Sequence, residues 1–129
     1  MLTVPGTAAR LSLRQERMVM ALSHAKSGDL VNIQDAAAEF SSNTSVTLVR
    51  DDHIEIFRLV LGAGTHMQEH SAAGAMTVQC LGGEVDFSCH DKTQTLRPGD
   101  LIYLNDAAPH ALHSKQGTIL LITLMLHRK

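Results

Sequence analysis

Cysteine is scarce in this chain, charge of neither sign is in excess, and no apolar run is long. Two cysteines, Cys80 and Cys89, are too few to staple a small secreted fold, and a chain of 129 residues can bury a core without staples. We expect two reduced thiols in a cytoplasmic protein. The formal net charge is −2 with acids and bases interspersed, so no basic stripe is available to neutralise a phosphate backbone, and nucleic acid is not an expected partner. The longest strongly apolar stretch, Ile119 to Leu126, has eight residues interrupted by Thr123. A spanning helix needs roughly 20, so no membrane partner is expected. No secretory apolar core precedes a small-residue cleavage site near the start. Arg10, Arg14 and Arg17 stand there against Glu16 alone, and an ordinary surface helix explains them better than a targeting presequence.

What the chain does have is punctuation. Residues 1 to 10, with Pro5 and Gly6, read as a lead-in without periodicity. Ser12 and Gln15 resemble a capping box, and Leu11, Met18, Leu22 and Ala25 share a helical face before Gly28, so a helix is expected at about residues 13 to 26. Met18 and Met20 could serve a partner surface, although a stripe at this spacing commonly packs on its own domain. After Asp29 the pattern becomes short runs of Val, Ile, Leu and Thr between Gly, Asn and Asp. Ten strands are expected: Leu30 to Ile33, Val46 to Val49, His53 to Leu61, His66 to His70, Met76 to Leu81, Glu84 to His90, Thr93 to Arg97, Leu101 to Leu104, His110 to His113 and Thr118 to Leu126. Tight connections without crossover helices imply an all-β antiparallel barrel or sandwich. We divide the chain into a lead-in with helix at 1–28 and one barrel domain at 29–129, with no second domain.

The eight histidines supply imidazoles for a metal site or for proton transfer. Gly64 precedes His70 by five intervening residues, and Gly83 ends the following strand. Gly99 precedes Leu101 to Leu104, the turn Asn105 to Pro109, and His110. These two glycine-led units, with Arg97-Pro98-Gly99-Asp100 and Pro109-His110, resemble the two motifs of the cupin superfamily over about residues 45 to 126. The resemblance implies a double-stranded β-helix, or jelly-roll, barrel. In its full form the motif supplies three histidines and a glutamate that hold iron, manganese, zinc, nickel or copper. Here Ala72 stands at the second histidine position and Met76 at that of the glutamate, while Asn105, Ala107 and Ser114 replace other motif residues. Cupins commonly dimerise, so a homodimer is expected by analogy.

The candidate metal ligands are therefore His70 and His110, with Gln68 as auxiliary ligand or hydrogen-bond partner, because residues two apart on a strand share a face. His66, four from His70, is too distant on a regular strand to share an ion unless a bulge intervenes. His66, Ala72, Met76, Cys80 and Tyr103 are candidate lining residues. A zinc, iron or nickel ion would suit the imidazoles; the thioether of Met76 would favour copper, although methionine in a barrel is commonly a filler. Cys80 reads equally as a small buried hydrophobe, and His24, His53, His90, His113 and His127 as surface or packing residues. Two functions stay open: a metal-assisted enzyme acting on a small polar molecule, and a non-catalytic small-molecule-binding module whose floor is enlarged by Ala72 and dried by Met76. A structural protein using the methionine-bearing helix is a third.

Overall fold

The computed structural model describes residues 24–34 and 43–126. The expected helix falls, apart from its last three positions, outside the described residues. His24 to Lys26 are not helical, and the Ala25 amide donates to the Leu48 carbonyl at 2.8 Å. Nine strands follow among the described residues: β1 Thr44–Arg50, β2 Ile54–Leu61, β3 His66–His70, β4 Met76–Gly82, β5 Val85–Cys89, β6 Lys92–Leu96, β7 Leu101–Leu104, β8 His110–Ser114 and β9 Thr118–Met125. They match nine of the ten expected runs. The tenth, Leu30 to Ile33, is no strand. Leu30 is 98% exposed, and the Ile33 carbonyl accepts from the Arg58 guanidinium at 3.4 Å. A four-residue apolar run without a pairing neighbour gains no ladder, and local composition does not reveal the neighbour's absence.

The strands form a five-stranded sheet, in the order β1-β2-β9-β4-β7, and a four-stranded sheet, β3-β8-β5-β6. Strict alternation builds the space between them. In β4, Met76, Val78 and Cys80 are buried; in β5, Val85, Phe87 and Cys89; in β8, His110, Leu112 and Ser114. With Leu61, Leu96, Leu104, Leu120 and Ile122 these side chains make one continuous core. Most of the apolar burial that offsets chain entropy lies here.

The two ends of this sandwich differ. At one end short connections at 62–65, 83–84, 97–100 and 115–117 carry the chain from one sheet to the other. Buried polar groups close it. The Ser114 hydroxyl donates to the Gly62 carbonyl at 2.6 Å, and the Thr118 hydroxyl donates to that of Gln116 at 2.7 Å while accepting from the Glu84 amide at 3.2 Å. Gly83 sits against this plug with φ +84, and a Cβ there would overlap the Gly117 carbonyl and approach the Thr118 Cα to 2.6 Å. At the other end the segments 51–53, 71–75, 90–91 and 105–109 form a rim. An Asp106 carboxylate oxygen accepts from the Gly74 amide at 2.6 Å, tying two rim segments together. Asp51 caps a third by accepting from the His53 and Ile54 amides at 2.8 and 3.0 Å; these two bonds hold its carboxyl below the usual range.

Gly83→Ala combines a left-handed backbone with direct overlap on main-chain atoms, and it should destabilise the chain by at least about 2 kcal/mol. Urea unfolding checks this; an unchanged midpoint would contradict the account of the closed end.

Candidate functional site

The open end is organised by the pairing of β3 with β8. His66 lies opposite His113, Met67 opposite Leu112 and His70 opposite His110, with a register shift between Met67 and His70. Gln68 and Glu69 thus face the single residue Ala111, a bulge of one extra residue. The bulge reverses the parity of the strand. Leu112 and His110 are buried on the inner face, so Met67 and His70, their partners, share that face. His66 and His113 then share the outer face. A regular strand would have placed His66 and His70 on one side; the extra residue places them on opposite sides.

The inner row continues to β5, where Cys89 is the partner of His110. The imidazoles of His70 and His110 have centroids 4.4 Å apart at 59°, and the His110 ring stacks on Phe87 with centroids 5.5 Å apart at 6°. His110 is buried and His70 exposed. Each ring is anchored in the same way, by its own strand's entry. The His70 Nδ1 lies 3.0 Å from the Gln68 carbonyl, and the His110 Nδ1 lies 3.0 Å from the Ala108 carbonyl. A carbonyl only accepts, so Nδ1 carries the proton in both rings, and in the neutral form each Nε2 keeps a free lone pair. Burial, first, and the neighbouring His70 push the His110 pKa below its ordinary value, against the opposing effect of the Ala108 carbonyl. His110 is therefore a neutral acceptor at pH 7.

Across the barrel, the corresponding row of the five-stranded sheet is given by its register: Arg50 opposite Glu55, Glu55 opposite Leu124, and Leu124 and Leu104 both opposite Met76. Met76 follows the 71–75 segment, so this row lies at the same end as His70. Arg50 and Glu55 form an ion pair at 2.7 Å, and the Thr47 hydroxyl donates to the other Glu55 oxygen at 3.4 Å. This charged pair escaped the sequence reading. The signal was available: a hairpin turning at 51–53 sets Arg50 against Glu55, and Glu55 shares strand parity with Phe57.

The sequence-derived candidates divide accordingly. His70, His110 and Met76 come together at the inner open end, and Ala72 lies in the rim segment beside them. Gln68 meets His70 through its main-chain carbonyl, within the bulge. His66 is on the outer face, its ring stacked on His113 at 3.9 Å and 10°. Cys80 does not line the open end: it is fully buried two rows deeper, its thiol donating to the Gly82 carbonyl at 3.4 Å, and burial raises its pKa. Tyr103 is no wall either, for it is 62% exposed and alternates with the inward-facing Ile102 and Leu104. Ala107 adopts φ 59 where the resembled motif carries glycine, so the turn into His110 keeps its shape without the usual residue.

The donor set falls short of a catalytic metal centre. Zinc enzymes hold their ion through about three protein ligands. Ala72 offers no donor atom and Met76 only a soft thioether, and among the described residues no three His, Cys, Asp or Glu side chains gather around a common point.

Two antiparallel sheets with this connectivity, closed at one end and holding paired histidines at the other, define a cupin barrel. Solved structures of similar fold agree. A cupin superfamily protein from Desulfitobacterium hafniense is 19% identical with a TM-score of 0.69, over 81% of this chain and 95% of that one. A conserved protein of unknown function from Streptococcus pyogenes is 21% identical with a TM-score of 0.65, over 81% and 100%. Salicylate 1,2-dioxygenase from Pseudoaminobacter salicylatoxidans is 15% identical with a TM-score of 0.59, over 64% of this chain and 26% of that one. At these identities the likeness establishes the fold. No curated protein matches the chain in sequence. Within the cupins the chain belongs to the AraC-like ligand binding domain family, whose model matches residues 56–123.

The lowered His110 pKa has a thermodynamic consequence. Between the folded value and the ordinary 6.5 the unfolded chain binds more protons, so stability rises with pH through that window and is lost as pH falls through it. Denaturation midpoints should drop on going from pH 7 to pH 5, and His110→Gln should flatten the part due to this ring. An identical pH slope in the variant would contradict the assignment.

Proposed function

We propose that this chain is a small-molecule-binding module whose ligand enters the open end and is held by His70 and His110. The observation that carries the reading is the combination of two imidazoles anchored through Nδ1 with an inner row that is otherwise largely apolar. Two convergent Nε2 acceptors prefer a ligand that donates hydrogen bonds, such as a hydroxyl or amine, and Glu55 on the facing sheet adds a third acceptor. Met76, Leu104 and Phe87 offer a dry floor for the ligand's apolar face. A few fixed polar groups on an apolar wall is the usual make-up of a small-molecule site. The family's description as a ligand binding domain supports the same reading.

At pH 7 the neutral His110 ring has no proton on Nε2 to give its ligand, and the Glu55 carboxylate is charge-paired with Arg50. Binding without turnover is the expected behaviour. Thermal-shift screening of chelator-treated protein against small polyols, hydroxy acids and amines should find a stabilising compound. His70→Ala and His110→Ala should each weaken it at least tenfold, about 1.4 kcal/mol or more, and Glu55→Gln should weaken it less. Binding or turnover that appears only after zinc, iron, nickel or copper is added would replace this reading with a metal-assisted one.

A further inference from the structure

The outer face of the four-stranded sheet carries a second histidine pair that the open-end site does not use. His66 on β3 and His113 on β8 are direct cross-strand partners, and their rings stand face to face at 3.9 Å and 10°. His66 is exposed and His113 partly so. Among the described residues neither ring makes a hydrogen bond, so in the neutral form each ring is free to present its one lone-pair nitrogen outward. Asp86, the β5 partner of His113, adds negative charge to the same row. Its carboxylate is engaged by the Thr95 hydroxyl at 2.7 Å and by the Lys115 ammonium at 3.7 Å, so it acts through its field and not as a ligand.

We propose that His66 and His113 form a surface site for one divalent transition ion of the nickel, copper or zinc kind, completed by water. Imidazole nitrogens bind such ions at about 2.0–2.1 Å, so two neighbouring ligands sit about 3 Å apart with their lone pairs converging on the ion. In rings stacked at 3.9 Å and 10° the lone pairs run parallel, so the two imidazoles turn out of the stack about their side-chain torsions to hold one ion, a rotation that cross-strand neighbours on the outer face can make. Neutral imidazoles suit these ions and not magnesium or calcium. Solvent decides between the two histidine pairs. On the outer face water fills the remaining coordination positions, whereas at the inner pair the buried His110 would bring a dication against Phe87 with no anionic ligand to offset its desolvation.

The site has a structural effect. Among the described residues β3 pairs with β8 alone, and an ion held by both strands clips it in place. The clip acts on the same five residues that carry His70 on the opposite face.

Nickel chloride titrated into the untagged full chain by calorimetry tests the proposal. One equivalent should bind with micromolar affinity, and nickel should raise the melting temperature. His66→Gln and His113→Gln should each weaken binding at least tenfold and abolish the rise, while His70→Ala should retain both. Melting curves without nickel confirm that each variant is folded. No binding by the wild type, binding that survives both outer substitutions, or binding lost with His70→Ala overturns the proposal. None of these results bears on the small-molecule site, which is assayed after chelation.

Discussion

The pairing of β3 with β8 is the contact on which the candidate site depends, because it fixes which histidine looks inward. β3 has five residues and, among the described residues, one sheet neighbour, and its ladder to β8 contains the bulge at Gln68 and Glu69. Bulges twist a strand and re-aim the side chains beyond them. Here the extra residue turns His70 toward His110 and leaves His66 stacked on His113. The same bulge frees the Gln68 carbonyl to hold the His70 ring. The same strand paired in regular register, with no bulge, would put His66 and His70 on a common face and separate His70 from the buried row.

Much of the barrel was legible because alternation and turn residues are local. β4, β5 and β8 advertise themselves by strict period-two burial, and Gly82-Gly83 and Pro98-Gly99 mark turns found at the closed end. The Leu30 to Ile33 run had the composition of a strand without a partner to pair with. Pairing is a long-range property, and the same limit applies to the site. Period two alone put His66 and His70 on one face, and only the registration against β8 reveals the extra residue. Cys80 shares parity with Met76, as read from the sequence, yet depth along the strand separates them: one is at the rim and the other inside the core.

Arg50 and Glu55 illustrate the complementary case. Neither belongs to a motif, and carboxylates near turns are commonly solvated. What makes this pair notable is the row it occupies, which is set by the registers of β1 on β2, β2 on β9 and β9 on β4. Two ladders must be known before Glu55 can be placed on the same inner row as Met76, and the third before Arg50 can join it. The histidines, by contrast, follow glycine-led turns, His70 after Gly64 and His110 after Gly99, and so they stood out early.

The chemistry at the open end follows from what replaced the carboxylate. In a cupin that holds a metal, an anionic ligand offsets part of the cost of bringing a dication into a partly dry cavity. With Met76 at that position and Leu104 beside it, the offset is gone while the imidazole anchors remain. Those anchors fix tautomer and orientation whatever the rings face, and so they serve a hydrogen-bond donor as well as an ion. The lowered pKa of His110 works in the same direction, since a ring kept neutral, with its proton on Nδ1, leaves Nε2 as an acceptor. Paired histidines in dry surroundings thus supply hydrogen-bond acceptors at the open end without an anionic neighbour from the Met76 position.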